Sequence, residues 1–104
     1  MIRKPSLSAM LVMLLAGLAP LAARADIAAG GRLARQWCAN CHLVDGAGPS
    51  ASVQQGPPSF RIIAGHLDPG EMRAFLTHPH GAMPDLALSR AEIDDLIAYI
   101  ESLQ

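Results

Sequence analysis

The two cysteines of the chain lie in one short run, Cys38-Ala39-Asn40-Cys41-His42, in which a histidine follows the second cysteine directly. This order is the attachment pattern of a c-type haem. Two thiols on one turn add across the two vinyl groups of the haem, and the adjacent imidazole then lies directly beneath the iron. The run therefore predicts that Cys38 and Cys41 bind a haem c covalently and that His42 is an axial ligand of its iron.

Two other kinds of site use the same spacing of cysteines. A thioredoxin-like redox dithiol lies in a βαβ context, which the Ala- and Gly-rich flank of Cys38 does not indicate. A structural zinc site needs two further ligands, and His78 and His80 are the residues that would supply them. The histidine beside Cys41 and the export signal described below favour haem over both alternatives.

Iron bound by His42 needs a second axial ligand. Met83 is the strongest candidate because it precedes Pro84 in a region predicted to be a loop, where its thioether is free of helical constraints. The alternative for Met83 is an apolar residue that fills a gap in the core. The remaining candidates are Met72, which has the pattern of a core residue, and His66, His78 and His80, which are predicted to be exposed.

The first 25 residues have the pattern of a secretory signal peptide. Arg3 and Lys4 form a basic start, residues 7–18 form an apolar run, and Ala23-Arg24-Ala25 is a small-x-small cleavage site. An uncleaved membrane anchor is the alternative, but the apolar run is shorter than the ~20 residues that a spanning helix needs. We therefore predict export to the periplasm and cleavage before Asp26.

Removal of residues 1–25 leaves residues 26–104, which are 79 of the 104 residues, as one domain. A domain of this size has a small core, and a covalently attached porphyrin would add apolar bulk to it. The mature domain keeps five arginines and no lysine against nine acidic residues, a formal charge of −4. This charge argues against nucleic-acid binding, which depends on basic patches.

The sequence predicts an all-α fold, without strands. Helices are predicted over residues 27–37, from Ser59 through Ile63 with an end near Gly65, after the capping box of Asp68 and Glu71, and after the capping box of Ser89 and Glu92. The third helix is predicted to stop before Pro79. Residues 43–55 and 78–88 are predicted loops. The last helix places Ile93, Leu96, Ile97 and Ile100 in the core, and Glu92, Asp94, Asp95 and Glu101 in solvent.

These features together resemble the class I c-type cytochromes, which are small soluble monohaem electron carriers. The resemblance covers residues 28–103. Besides the haem motif, it rests on Gly30 in the preceding helix, on Pro58-Ser59-Phe60, on the pair Met83-Pro84, and on residues 95–100 of the final helix. The chain departs from the family pattern where Ala34 replaces an aromatic residue, and Trp37 is the residue expected to fill that volume.

The resemblance implies the cytochrome c fold, with three to five short helices around one haem and with the first and last helices crossing. Gly30 would lie against the face of the last helix that carries Ile97 and Tyr99. Met83 would provide the second iron ligand. The carbonyl group of Pro58, or of Pro57 as the alternative, would accept a hydrogen bond from His42.

The resemblance also implies a periplasmic one-electron carrier, not an enzyme, which cycles between Fe(III) and Fe(II). Its partners would be redox proteins such as a dehydrogenase, an oxidase or another cytochrome. The chain would be a monomer, without a small-molecule substrate. The alternatives are a dedicated cytochrome subunit of a periplasmic dehydrogenase or oxidase, and a haem enzyme or gas-binding protein whose sixth ligand exchanges.

Overall fold

The architecture comes from a computed structural model of the chain, which describes residues 2, 24–46, 56–79 and 81–104. Most of the predicted signal peptide lies outside these residues, as do the loop positions 47–55 and His80. Within the described residues the structure is helical and contains no strand. The prediction of an all-α fold is therefore confirmed.

Four α-helices and one π-helical segment form the described domain. They are α1 (Ile27–Leu33), the π-helical segment Ala34–Cys38, α2 (Phe60–His66), α3 (Pro69–Thr77) and α4 (Arg90–Glu101).

The predicted capping residues precede α2, α3 and α4. The hydroxyl of Ser59 accepts a hydrogen bond from the backbone of Ile62, so that α2 begins at the next residue. Complete capping boxes begin α3 and α4, at Asp68 and Ser89 respectively. Both predicted helix ends lie close to the observed ones, since α2 ends at His66, next to Gly65, and α3 ends at Thr77, before Pro79.

The predicted first helix changes its winding before it reaches the cysteines. The backbone nitrogen of Ala39 donates to the carbonyl oxygen of Ala34, five residues earlier, across 3.0 Å. A π-helical turn takes one residue more than an α-helical turn. The residues that follow are therefore rotated by about 100° relative to an uninterrupted α-helix. This rotation sets the direction in which the cysteine run leaves α1.

The first and last helices of the domain, α1 and α4, approach each other closely at Gly30. A Cβ atom at this position would lie 2.0 Å from the backbone oxygen of Asp95 and 2.9 Å from the Cβ of Tyr99. Only a residue without a side chain permits this approach. The expected contact with Tyr99 is present, and Asp95 takes the place expected for Ile97.

The apolar core is built around α4, which contributes Ile93, Leu96, Ile97, Tyr99 and Ile100 as buried residues. Side chains from the other elements complete it: Ala34, Cys38, Val44, Phe60, Ala64 and Met72. The hydroxyl of Tyr99 donates a buried hydrogen bond of 2.5 Å to the carbonyl oxygen of Val44. This bond ties the segment that follows the cysteine run to the last helix.

Candidate functional site

The cysteine run forms a helical turn after the π-helical segment. The backbone nitrogens of Cys41 and His42 both donate to the carbonyl oxygen of Cys38, across 3.2 and 2.9 Å. Residues three and four positions apart lie on one face of a helical turn. Cys38, Cys41 and His42 therefore project from the same side of the chain, which is the arrangement that attachment of one haem requires.

The two thiols differ in their surroundings. Cys38 is buried and Cys41 is exposed, and neither is part of a disulfide. Burial raises the pKa of the Cys38 thiol because the thiolate loses its hydration. Reactive redox dithiols instead have a thiol whose pKa is lowered. The environment of Cys38 therefore does not match that of the redox dithiol considered above.

The imidazole of His42 is oriented by a hydrogen bond. Its Nδ1 lies 2.6 Å from the carbonyl oxygen of Pro58, whereas no such contact joins it to Pro57. A carbonyl oxygen only accepts hydrogen bonds, so Nδ1 carries the proton and donates it. The other ring nitrogen, Nε2, then keeps its lone pair for a metal. Such an outer hydrogen bond fixes both the tautomer and the ring direction of a histidine ligand.

Phe60 also contacts the ring of His42, a contact that the sequence did not predict. The two ring centroids are 5.5 Å apart with an interplanar angle of 52°. Phe60 is buried, its backbone nitrogen donates to the carbonyl oxygen of Leu43 across 2.9 Å, and its ring meets Tyr99 edge-on. A chain of aromatic contacts therefore joins His42 to α4. The apolar residue two positions after Pro58 was the available signal, but its spacing alone did not identify the ring contact.

A cavity of about 480 Å³ opens beside the cysteine run. Its wall includes every residue predicted to bind the haem, namely Cys38, Cys41, His42, Pro58 and Met83. The remaining lining residues are apolar: Trp37, Pro57, Phe60, Ile63, Leu67, Met72, Phe75, Leu76, Ala82, Pro84, Leu86, Leu96 and Ile100. The structure therefore brings residues from both halves of the domain to one apolar site that is partly open to solvent.

Met83 reaches this cavity from the loop between α3 and α4. The loop turns at Gly81, whose φ of +72° is a left-handed conformation that favours glycine. Beyond Met83, the backbone nitrogen of Ala87 donates to Oδ1 of Asp85 across 2.8 Å. Met83 itself is half-buried, and Pro84 beside it also lines the cavity.

Other residues near the cavity differ from their expected roles. Met72 is buried, as predicted for a core residue, but it also forms part of the cavity wall. Trp37 does not fill the volume beside Ala34, because 54% of its surface is exposed while Ala34 is fully buried. The π-helical winding places Trp37 at the edge of the cavity instead. Helical periodicity did not reveal this change of winding.

His66 and His78 do not line the cavity. Both are exposed, and Nδ1 of His66 donates to the carbonyl oxygen of Ile62 across 2.9 Å. Among the described residues, no three His, Cys, Asp or Glu side chains are grouped closely enough to hold a metal ion. The described part of the chain thus does not assemble the zinc site that the sequence left open, and His80 is not among its residues.

The residues of the cavity fit a haem. Its volume lies within the range of cofactor pockets, about 300–1,000 Å³, and its wall is apolar apart from the groups that would bind the cofactor. Two thiols and one imidazole come from a single turn, and one thioether comes from a separate loop. Thiols, imidazole and thioether are the groups that attach and ligate a haem of the c type.

Comparisons with known proteins agree with this chemistry. Residues 25–100 match the family model described as cytochrome c oxidase, cbb3-type, subunit III. The chain is also 40% identical over 96 residues to cytochrome c-552 of Bradyrhizobium diazoefficiens, an alignment that covers 90% of each protein. No solved structure matches the chain.

One further observation concerns membranes. Among the residues that the structure describes, no helix is both long and apolar enough to cross a bilayer.

The family match covers most of the chain, and the relative is similar over nearly its whole length. The chain therefore belongs to the class I c-type cytochromes, and it is an electron carrier with a covalently bound haem c.

Proposed function

We propose that the protein carries single electrons between redox proteins of the periplasm, with His42 and Met83 as the two axial ligands of its haem iron. The observation that supports this ligation most strongly is the common cavity, whose wall contains the cysteine turn and Met83 together. Bound haem supplies the redox chemistry, since its iron alternates between Fe(III) and Fe(II).

Each proposed residue has a separate task. Cys38 and Cys41 fix the haem covalently, and His42 presents Nε2 to the iron because Pro58 accepts the proton-bearing Nδ1. Met83 contributes a thioether, which favours a comparatively high reduction potential when it is paired with histidine. The apolar wall limits access of water to the iron. The proposal includes no small-molecule substrate and assigns no residue a catalytic role.

The proposed location follows from the signal sequence. Residues 1–25 are the signal peptide and residues 26–104 are the mature domain, which is proposed to be a monomer in the periplasm. The family match begins at residue 25, which supports a boundary at this position. N-terminal sequencing of the exported protein tests it: a mature chain that begins at Asp26 agrees, and one that retains Met1 does not.

The visible spectrum of the purified holoprotein tests the iron ligation. The unaltered protein should be low-spin and show the charge-transfer band between methionine sulfur and Fe(III). The Met83→Ala variant should lose this band. Met72→Leu is the matched control, because it removes the other methionine thioether of the cavity wall at nearly constant volume. Loss of the band in the control, with the band retained in Met83→Ala, would show that the assignment is wrong.

Ligand binding distinguishes an electron carrier from a haem enzyme or gas-binding protein. The ferrous holoprotein should not take up carbon monoxide, because both axial positions are filled by side chains. The Met83→Ala variant should bind carbon monoxide readily. Rapid uptake by the unaltered protein would contradict the carrier proposal and favour a protein with an exchangeable sixth ligand.

A dedicated subunit of an oxidase is the second candidate function. The description of the matching family model, subunit III of a cbb3-type oxidase, favours it. The relative named cytochrome c-552 favours a free carrier, because it is similar to this chain over 90% of its own length. Size-exclusion chromatography of gently lysed native cells decides between them: a free carrier elutes as a small protein, and a subunit elutes with a large complex.

A further inference from the structure

A hydrogen bond joins the beginning of the mature domain to its last helix. The backbone nitrogen of Asp26 donates to Oδ1 of Asp95 across 2.7 Å, although the two residues are 69 positions apart. This contact lies beside the close approach of α1 and α4 at Gly30, since Gly30 meets the backbone of the same Asp95. The Asp95 carboxylate therefore lies at the point where the chain enters α1.

The proposed cleavage between Ala25 and Asp26 changes the chemistry of this nitrogen. It is a neutral amide in the uncut chain and becomes an α-ammonium group in the mature chain. Attraction between opposite charges is then added to the hydrogen bond. We propose that Asp95 is the binding site of the α-ammonium group created by cleavage, so that removal of the signal peptide strengthens the contact between α1 and α4.

The charges near this contact favour the ammonium group on balance. The dipole of α1 opposes a cation at its first turn, but the carboxylates of Asp26 and Asp95 both attract one. The Asp26 carboxylate itself accepts a hydrogen bond of 3.1 Å from the backbone of Ala29. The other titratable or charged side chains of the adjoining turns are Glu92, which accepts from Ser89, Asp94, which pairs with Arg73, Tyr99, which donates to Val44, and Arg32 and Arg35 further along the first helix.

The composition of the mature chain makes this group unusually easy to observe. Lys4 is the one lysine in the sequence, and it lies within the proposed signal peptide. The α-ammonium of the mature protein is therefore its single primary amine. Reductive methylation of the exported holoprotein with ¹³C-formaldehyde labels this amine alone, and the pH dependence of its NMR signal gives the pKa of the methylated amine, which can be compared between variants.

The expected result is a pKa that is higher in the unaltered protein than in Asp95→Asn, by about half a pH unit for an exposed pair. Asp94→Asn is the matched control, because it removes the same charge from the residue that precedes Asp95. The partner of Asp94 is Arg73. The amine pKa of this variant should stay close to that of the unaltered protein. Equal pKa values in the unaltered protein and Asp95→Asn would overturn the proposal, as would an equal decrease in both variants.

A second measurement follows from the direction of this shift. A group whose pKa is raised by folding stabilises the protein below its unfolded pKa of about 7.7–8.0, and the stabilisation is lost as the pH rises through the folded value. The unfolding temperature should therefore fall more steeply above pH ~8 in the unaltered protein than in Asp95→Asn.

The inference depends on the proposed cleavage and not on the iron ligation, so the two are tested separately. A mature chain that begins at another residue would overturn both the cleavage and this inference. A chain that begins at Asp26 with an unshifted amine would overturn the inference alone.

Discussion

The two sides of the haem cavity are supported in different ways. On the side of His42, contacts come from residues far apart in the chain, including the carbonyl of Pro58, the ring of Phe60 and the bond between Tyr99 and Val44. On the side of Met83, the hydrogen bond described within the loop is local, from Ala87 to Asp85. Segments with fewer long-range contacts open at a lower free energy. We therefore expect that, of the two proposed iron ligands, Met83 leaves the iron before His42 does.

The largest effect is expected at the contact between α1 and α4, the helix pair that supports the His42 side of the cavity. Gly30→Ala would place a Cβ 2.0 Å from the backbone oxygen of Asp95, which forces α1 and α4 apart. Overpacking against backbone atoms should lower the free energy of unfolding by about 3 kcal/mol. Urea titration of the holoprotein, followed by circular dichroism, measures this loss.

Gly65→Ala is the control for that experiment. Gly65 lies in α2, and a Cβ there would meet no atom within 4 Å. Alanine is favoured over glycine within a helix by about 0.5–1 kcal/mol, so this variant should be as stable as the parent or slightly more stable. Equal losses in the two glycine variants would show that the close approach at Gly30 is not what supports the helix pair.

An intermediate effect is expected from the buried bond of Tyr99. Tyr99→Phe leaves the carbonyl oxygen of Val44 without its donor in a buried position. An unpaired buried polar group costs about 1–3 kcal/mol, so we expect a loss of about 1.5 kcal/mol in unfolding free energy. The methionine-to-iron band should persist in the folded variant. A stability equal to that of the parent would mean that this bond does not hold the segment after the cysteine run.

A smaller effect is expected in the loop that carries Met83. Gly81→Ala forces alanine into the left-handed conformation at φ +72°, whereas Ala87→Gly removes such strain at φ +50°. The first change should destabilise the loop by about 1 kcal/mol, and the second should be neutral or slightly favourable. The urea concentration at which the methionine-to-iron band disappears measures the stability of the loop in both variants. Shifts in the same direction would contradict the proposed role of backbone strain in this loop.

The smallest expected effect is on the unfolding temperature at acid pH, and it comes from the capping box at the start of α4. Hydrogen bonds from the backbone and side chain of Ser89 lower the pKa of Glu92. A carboxyl group whose pKa is lowered by folding stabilises the protein above its unfolded pKa, and this stabilisation is lost as the pH falls through the folded value. The unfolding temperature of Glu92→Gln should therefore depend less on pH below about pH 4.5 than that of the parent. An identical pH dependence would contradict the contribution of this capping box.

The sequence was sufficient to predict features that depend on neighbouring residues. The capping boxes at Asp68 and Ser89, the helix stop before Pro79 and the helical turn at Cys38 all follow from local chemistry. The close helix contact at Gly30 was implied by the resemblance to class I c-type cytochromes, and the structure shows that a Cβ at this position would meet the backbone of Asp95.

Features that depend on distant residues were not predicted in the same detail. The π-helical turn moves Trp37 to the cavity edge, and hydrophobic periodicity contains no signal for that extra residue. Asp95 was predicted to face solvent and is partly exposed, but the pattern did not indicate the hydrogen bond that it accepts from the backbone of Asp26. The contact between Phe60 and His42 also depends on how two separate segments fold together. Such contacts become visible only when the tertiary structure is known.

X-ray absorption at the iron K-edge of the exported holoprotein tests the central claim most directly. The account predicts a thioether sulfur together with nitrogen neighbours around the iron in both oxidation states, and loss of the sulfur signal in Met83→Ala. The same sulfur signal should remain in Met72→Leu. An iron surrounded by nitrogen alone in the unaltered protein, or one with an empty sixth position, would contradict ligation by His42 and Met83.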